Sequence, residues 1–471
     1  MSKRDQIPAD CEFVQLHDIA DSQTMAAKLQ KYVAAFSGNQ GQRVASCKIE
    51  QLHYRPGRDC KLLLRAQLSH VNGAHAGEQY YFGWLLTAEA KTKAYVTQIA
   101  QHDLVVPHFG PPVLYIPEWE LMLAAYPNDP ELPGPSLLSR PEKILALMQN
   151  APENFGMAQQ QPVRLTAKMT KYIPSLRCGY LFEVETAINS QRKHAVYGKA
   201  YRAAEGEKAY AIMKQIWESP ARQSGDLLLP RPYCYDAEAH ILWQEALPGK
   251  PFAEIAETIP HLPETAREIG RRLAAFHNSA LALPVEMTFA FQVREVKEAV
   301  AAINQTFLEF AEACSAVGEK LLAAATSLGP GPTTPVHASF KFSHIFATPK
   351  GIAFIDFDGA NRGDPGYDVG RFIAHLYKMK AGWKIAPEIA DQTSANFCAG
   401  YNEAAKQPLP PERMNWFAAS HVLGSQVYKS VKRLDSGLVN KLLKIADWLC
   451  PLLFGLEAVY EVLPRMLPAL S

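Results

Sequence analysis

The sequence predicts an α+β protein in which two sheet-and-helix units precede a mostly helical half. Three observations carry this. Short apolar strands broken by turn residues occur twice, over residues 44–85 and 166–201. From Glu264 on, apolar residues recur at helical spacing, as in Ala266, Ile269, Leu273 and Phe276. Between Val336 and Phe372 a third pattern appears: two apolar strands flank Pro349-Lys350-Gly351, with polar residues at both ends.

Taken in order, residues 21–37 read as a helix with Met25, Leu29, Tyr32, Val33 and Phe36 on one face. Strands follow over 49–54, 61–65 and 80–85, the first two joined by the turn Arg55-Pro56-Gly57-Arg58. A helix over 90–100 closes this unit. Residues 127–141, rich in Pro and Gly, and the loop 150–162 mark a boundary. The plan then returns: strands over 166–172, 179–184 and 194–201, and a helix over 205–218. Tyr54, Pro56 and Cys60 fall on Tyr172, Pro174 and Cys178, Gly83 on Gly198, and Lys93-Ala94-Tyr95 on Lys208-Ala209-Tyr210. This order and spacing point to an internal repeat. Trp84 of the first copy stands where the second has Lys199, and Thr92 where it has Glu207. Further helices are expected over 264–279, 369–380, 387–403, 411–434 and 436–453. The apolar tail 448–470 is interrupted by Glu457, Glu461 and Arg465, which suits a docked helix.

Composition removes several classes of function. A formal net charge of +1 gives no bulk attraction to nucleic acid or anionic membrane. No apolar run reaches membrane-spanning length, and the first residues lack the apolar stretch of a signal peptide. The eight cysteines are scattered without a C-x-x-C pair, as in a protein of the reducing cytoplasm.

The chemistry concentrates in 336–372. A hairpin there brings His337, Ser339, Lys341 and His344 towards Asp356 and Asp358. A carboxylate just after a buried strand is a common way to hold Mg²⁺ against a phosphate. The block resembles the active-site block of the aminoglycoside phosphotransferase/choline kinase-like family, relatives of the protein kinases. That family carries H-G-D-x-x-x-x-N, a strand, I-D-F/W-D or similar, and then G-D-P-x-x-D. His337, Ile355-Asp356-Phe357-Asp358 and Gly363-Asp364-Pro365-Gly366-Tyr367-Asp368 match it. Two positions depart: Ser339 stands at the catalytic Asp and His344 at the metal-binding Asn. That leaves open which group serves as base and whether a second metal binds.

The resemblance implies a bilobal protein kinase-like fold. Residues 155–247 would form the nucleotide-binding small lobe and 248–471 the helical large lobe that carries 336–372. Residues 1–150 would be an extra α+β domain, a degenerate copy of the small lobe. It also implies roles. Lys199 would contact the α- and β-phosphates, held by Glu207 or Glu205. The turn 173–177, with Arg177, would cover the phosphates. Glu245 and Leu247 lie in the hinge that meets adenine. Asp356 would ligate Mg²⁺, with His344 at the second metal position. Ser339 holds the place of the base. Lys341 would neutralise charge on the transferred group, and Asp358 would share the metal or orient the acceptor. His337, Asp364 and Asp368 would brace the fold. The expected function is ATP-dependent phosphoryl transfer to a hydroxyl or amine of a small polar molecule, with ATP and Mg²⁺ as cofactors. The alternative is a nucleotide- or ligand-binding scaffold without phosphoryl transfer. The expected partners are the small acceptor and a protein bound through 1–150, with no nucleic acid and no membrane.

Overall fold

A computed structural model describes residues 13–450, apart from 20, 38–41, 56–58, 71–72, 87–103, 108–109, 188–193, 260, 383 and 432–434. The chain divides into two units. The first comprises 1–207, 233–246 and 432–435, and the second 208–232, 247–431 and 436–471.

The first unit contains two five-stranded antiparallel sheets built to one plan. After helix α1 (Ser22–Ser37) come β1 (Gln42–Arg55), β2 (Asp59–His70), β3 (His75–Leu86), β4 (Val113–Ile116) and β5 (Leu121–Ala125). They pair in the order β1-β2-β3-β5-β4. Helix α2 (Pro141–Asn150) follows, and then β6 (Pro162–Ile173), β7 (Arg177–Thr186), β8 (His194–Tyr201), helix α3 (Glu205–Trp217), β9 (Pro232–Asp236) and β10 (Ile241–Glu245). The second sheet has the order β6-β7-β8-β10-β9, the same permutation. The registers agree as well. Leu62 faces Gly83 as Tyr180 faces Gly198, and Cys60 faces Leu85 as Cys178 faces Ala200. Gly83 then faces Leu123, and Gly198 faces Trp243. The repeat expected from the sequence is therefore present in the backbone.

The matched glycines have a packing reason. A Cβ on Gly83 would run into Leu62 and Leu123, and one on Gly198 into Trp243 and Leu138. Leu138, Ile144, Met148, Phe155, Phe182, Val196 and Trp243 form a buried core that also takes in Leu63 of the first sheet. Met25 and Leu29 of α1 are buried as expected. The helix expected over 90–100 and the turn residues 56–58 lie outside the described residues.

In the second unit, α4 (Leu262–His277) buries Ala266, Ile269, Leu273 and Phe276, the stripe expected from its spacing. Helices α5 (Phe289–Thr306) and α6 (Ala311–Leu328) follow, then α7 (Gly366–Ala381), α8 (Pro387–Ala404) and α9 (Pro411–His421). The single helix expected over 411–434 is broken. A π-helical stretch, Val422–Val427, and a short helix, Tyr428–Val431, continue α9. Helix α10 (Ser436–Leu449) stops short of 453, and the tail after 450 lies outside the described residues. No described helix is long and apolar enough to cross a membrane.

Two small sheets complete this unit. Strands β11 (Lys250–Pro251), β14 (Ile345–Thr348) and β15 (Gly351–Phe354) form one, and β12 (Val285–Met287), β16 (Asn361–Gly363) and β13 (Thr334–Val336) the other. The β14–β15 hairpin closes with Thr348 opposite Gly351, as the Pro-Lys-Gly turn predicts.

Candidate functional site

The loop between β13 and β14 is fixed by alternation. Phe340 and Phe342 are fully buried. Phe340 lies 4.8 Å from the Phe354 ring and Phe342 4.9 Å from that of Phe372. With those rings driven inward, Ser339 and Lys341 remain only partly covered. Two non-glycine residues take left-handed backbone here, Ala338 (φ 62°) and Asp356 (φ 68°). Such strain collects where surrounding structure enforces a working geometry. Ala338 fills the position of the glycine in the H-G-D pattern.

Asp368 supplies the enforcement. From the first turn of α7 its carboxylate accepts the backbone N–H of His337 (2.5 Å) and of Ala338 (2.9 Å). His277, ending α4, lies 3.1 Å from the same carboxylate through Nε2 and 2.9 Å from the Tyr401 hydroxyl through Nδ1. Burial pushes the Asp368 carboxyl up. The bond and charge of His277, with His337 adding to them, outweigh that and hold it below the usual range. His337 donates Nε2–H to the Ile355 carbonyl (2.9 Å), and burial keeps its ring neutral by lowering its pKa. Asp364 is buried in a bidentate contact with Arg413 of α9 and accepts the Gly366 N–H. Asp364, Asp368 and His337 thus brace the fold.

Ser339, His344 and Asp356 are brought together. Ser339 Oγ lies 3.2 Å from His344 Nδ1, 3.2 Å from His337 Nδ1 and 3.3 Å from the Asp356 carbonyl. His344 Nε2 lies 3.1 Å from Asp356 Oδ2. A serine, an imidazole and a carboxylate form one bonded row. His344 is buried, and the Asp356 side chain keeps 16% of its surface exposed. Lys341 and Asp358 flank the row in sequence and are partly covered.

The donor set can be weighed against Mg²⁺. The ion needs only one or two carboxylates once phosphates and water complete its shell, so Asp356 suits it. His344 does not: both of its nitrogens already face protein groups, and nitrogen is a poor ligand for Mg²⁺. Among the described residues, no three His, Cys, Asp or Glu side chains form a ready-made metal cluster.

On the first unit, Lys199 lies on β8 opposite Gly179 and Leu242, with its ammonium 5.3 Å from the Tyr201 ring centre. The expected Lys199–Glu207 ion pair is not made among the described residues. Glu207 stands exposed in the first turn of α3, and Glu205 pairs with Arg202 at 3.1 Å. Glu245 ends β10 opposite Val196, and the chain passes between the units at Ala246–Leu247. The turn 173–177 is clamped in a way the sequence does not announce. Asp129, buried after β5, accepts both the Tyr172 hydroxyl (2.8 Å) and the Ser175 N–H (2.7 Å). Ser175 is itself left-handed, with φ 63°. Asp129 and His277 act across 46 and 91 residues respectively, so no local spacing could have signalled them.

Residues 195–408 match the phosphotransferase enzyme family. The resemblance drawn from the 336–372 block thus extends from Lys199 through the loop to α8. No curated protein matches the chain. Among solved structures, the chain is similar to aminoglycoside phosphotransferase APH(4)-Ia at 15% identity. That match covers 66% of this chain and 99% of the other, with a TM-score of 0.45. It is also similar to choline kinase from Cryptosporidium parvum Iowa II (12% identity, 70% and 98% covered, TM-score 0.46). A third is macrolide 2'-phosphotransferase MphH from Brachybacterium faecium (16% identity, 63% and 97% covered, TM-score 0.43). The phosphotransferase segment leaves out the whole first sheet and β6–β7.

Proposed function

We propose that the protein is an ATP-dependent phosphotransferase acting on a hydroxyl or amine of a small polar molecule. The bonded row Ser339–His344–Asp356, braced by Asp368 inside the phosphotransferase segment, carries this reading. An aspartate base is missing at 339, and His344 supplies a base in its place. His337 spends its Nε2–H on Ile355, so the one Ser339 proton faces three acceptors: His337 Nδ1, the Asp356 carbonyl and His344 Nδ1. With neutral His344 donating Nε2–H to Asp356, Ser339 donates to His344 Nδ1. An acceptor hydroxyl gives its proton to Ser339 Oγ as the serine proton passes to His344. The resulting imidazolium is held by the Asp356 carboxylate. The acceptor oxygen bonds to the γ-phosphorus as the bond to the ADP oxygen breaks.

Mg²⁺, when bound, neutralises phosphate charge, and Asp356 is the residue that would hold it. Lys199 would contact the phosphates, the backbone at Glu245 and Leu247 the adenine, and Lys341 the transferred group, with Asp358 orienting the acceptor. The described cysteines are all free thiols, in keeping with work in the cytoplasm. One observation favours a second reading, a nucleotide-binding scaffold: Ser339 stands at the place of the base aspartate and His344 at that of the metal-binding asparagine.

Calorimetry with Mg·ATP, followed by turnover with a pool of polar metabolites, separates the readings. Binding with turnover is expected. Asp356→Ala should abolish turnover, and His344→Ala should lower kcat by roughly 10²–10⁴-fold, the usual worth of a general base. The pair Ser339→Asp with His344→Asn should retain activity better than either change alone. Binding without turnover of any acceptor gives the scaffold, and no binding ends both readings.

A further inference from the structure

Two side chains from the first sheet and the stretch after it end on the turn between β6 and β7. Gln51 of β1 donates Nε2–H to the Tyr172 carbonyl at 3.4 Å. Asp129 takes the Tyr172 hydroxyl (2.8 Å) and the Ser175 N–H (2.7 Å) on a single oxygen, Oδ2. Its other oxygen takes the Glu131 N–H at 3.1 Å. The stretch that carries Asp129 is itself tied down. Gln79 of β3 donates to the Tyr126 carbonyl at 3.1 Å, and Asn128 exchanges two bonds with the Val105 backbone, at 2.7 and 2.8 Å. The Tyr126 ring lies 5.0 Å from that of Tyr172. The first sheet therefore fixes where the Asp129 carboxylate stands, and the carboxylate fixes the turn. In the second copy the matching stretch, after β10, is the hinge at Glu245 and Leu247.

Joining two antiparallel strands does not require such a turn, and this one is costly in three ways. Ser175 takes left-handed backbone, φ 63°, which only glycine adopts freely. By the alignment of Pro56 with Pro174, the first copy has Gly57 at that position. Ser175 is 1% exposed, and its Oγ is buried without a hydrogen-bond partner, which is unfavourable. The third cost is the buried carboxylate, whose pKa burial pushes up to about 6. Strain of this kind persists where the surroundings enforce a geometry that is put to use. The turn also runs straight into the face that carries Lys199. Arg177, its last residue, and Lys199 both lie over the Tyr201 ring, 6.0 and 5.3 Å from its centre. Gly179, two residues on, faces Lys199 across the sheet.

We propose that Asp129 is a positioning residue for nucleotide binding: with Gln51 it holds the 173–177 turn in the shape that covers the phosphates of ATP. This rests on the phosphotransferase reading and deepens it. The first sheet lies outside the phosphotransferase segment, yet it sets how tightly the neighbouring sheet grips a polyphosphate. Asp129 touches no nucleotide and acts only through Tyr172 and Ser175.

Calorimetry on the full chain with Mg·ATP and, separately, with adenosine tests it, because only ATP carries phosphates for the turn to cover. Asp129→Ala should raise the dissociation constant of Mg·ATP about tenfold or more, the usual worth of a lost hydrogen bond to a charged group, and leave that of adenosine unchanged. Asp129→Asn keeps an oxygen for Tyr172 and Ser175 and should recover most of the ATP affinity. Tyr172→Phe removes one of the two donors and should shift the ATP constant in the same direction by about threefold, again without moving adenosine. Should Asp129→Ala fail to fold, Tyr172→Phe decides by the same ratio. An equal loss for ATP and adenosine would mean that Asp129 only stabilises the fold, and would overturn the proposal. So would an ATP affinity indifferent to both changes. Native protein that binds no Mg·ATP ends the phosphotransferase reading and this proposal with it. Native protein that binds ATP while the ratio stays fixed ends the proposal alone.

Discussion

Asp129 shows how one residue can carry a cost for the sake of geometry. Its carboxylate accepts three hydrogen bonds, from Ser175 N, Tyr172 Oη and Glu131 N, yet burial dominates and pushes its pKa from 3.8 up to about 6. A raised carboxyl pKa means that the folded state binds a proton more tightly than the unfolded chain. The group's contribution to stability is therefore complete below about pH 4 and is lost as pH rises through 6. About two units correspond to an upper bound of roughly 3 kcal/mol. Asp129→Asn keeps an oxygen for Tyr172 and Ser175 and removes the charge. Urea unfolding between pH 4.5 and 7.5 should show the variant gaining on the native protein as pH rises. A variant that falls behind over that range would refute the account. Nothing in the local sequence marks Asp129, because its partners lie 43 and 46 residues away. Asp356 and Asp368 were legible for the opposite reason: a short strand, a turn and a helix start leave little freedom in where the chain puts them. That His344 comes near Asp356 was legible from the hairpin; that its Nε2 meets the Asp356 carboxylate was not.

At the level of elements, legibility followed the contrast between faces. Helix α4 alternates bulky apolar and charged residues and was read within two residues of its ends. Helix α6, with a run such as Leu-Leu-Ala-Ala-Ala-Thr, offers little contrast and was not foreseen. The break after His421 lies in the hydrogen-bond register of the helix, which side-chain periodicity does not report. The α4–α8 contact is set by backbone. A Cβ on Gly400 would strike the Arg267 carbonyl, and one on Gly270 the Phe397 carbonyl. Backbone cannot give way as a side-chain tip can. Gly400→Ala should therefore destabilise by about 1–3 kcal/mol, the usual cost of overpacking, despite alanine's better helix propensity. An unchanged or raised melting temperature would show that the two helices separate freely. Because His277 ends α4, the same change should loosen Asp368 and, on the proposed phosphotransferase function, lower kcat.

For the molecule as a whole, the sequence anticipated two copies of a sheet but placed a domain boundary between them near 150–155. Both sheets fall in the first unit and share a core, with Leu63 packed among Ile144, Met148 and Trp243. The Tyr126 hydroxyl meets that of Tyr180 at 2.8 Å. Composition and turn residues show where a chain may bend, and they do not show which apolar faces find one another. A chain beginning at residue 151 would leave Phe182, Val196 and Trp243 without Ile144 and Met148. It should be insoluble, or melt without a cooperative transition in a calorimetric scan. A soluble fragment with the full chain's melting temperature would show the second sheet to be self-sufficient.

The first sheet keeps its Gly83 register and shares its core with the second, while Trp84 stands where the second copy has Lys199. Its two faces should therefore answer to different pressures. In a saturation scan scored by cell survival, positions such as Leu63 and Tyr126 should reject nearly every replacement, and alternate positions pointing to water should accept most. The result would be a striped tolerance map, written by architecture alone.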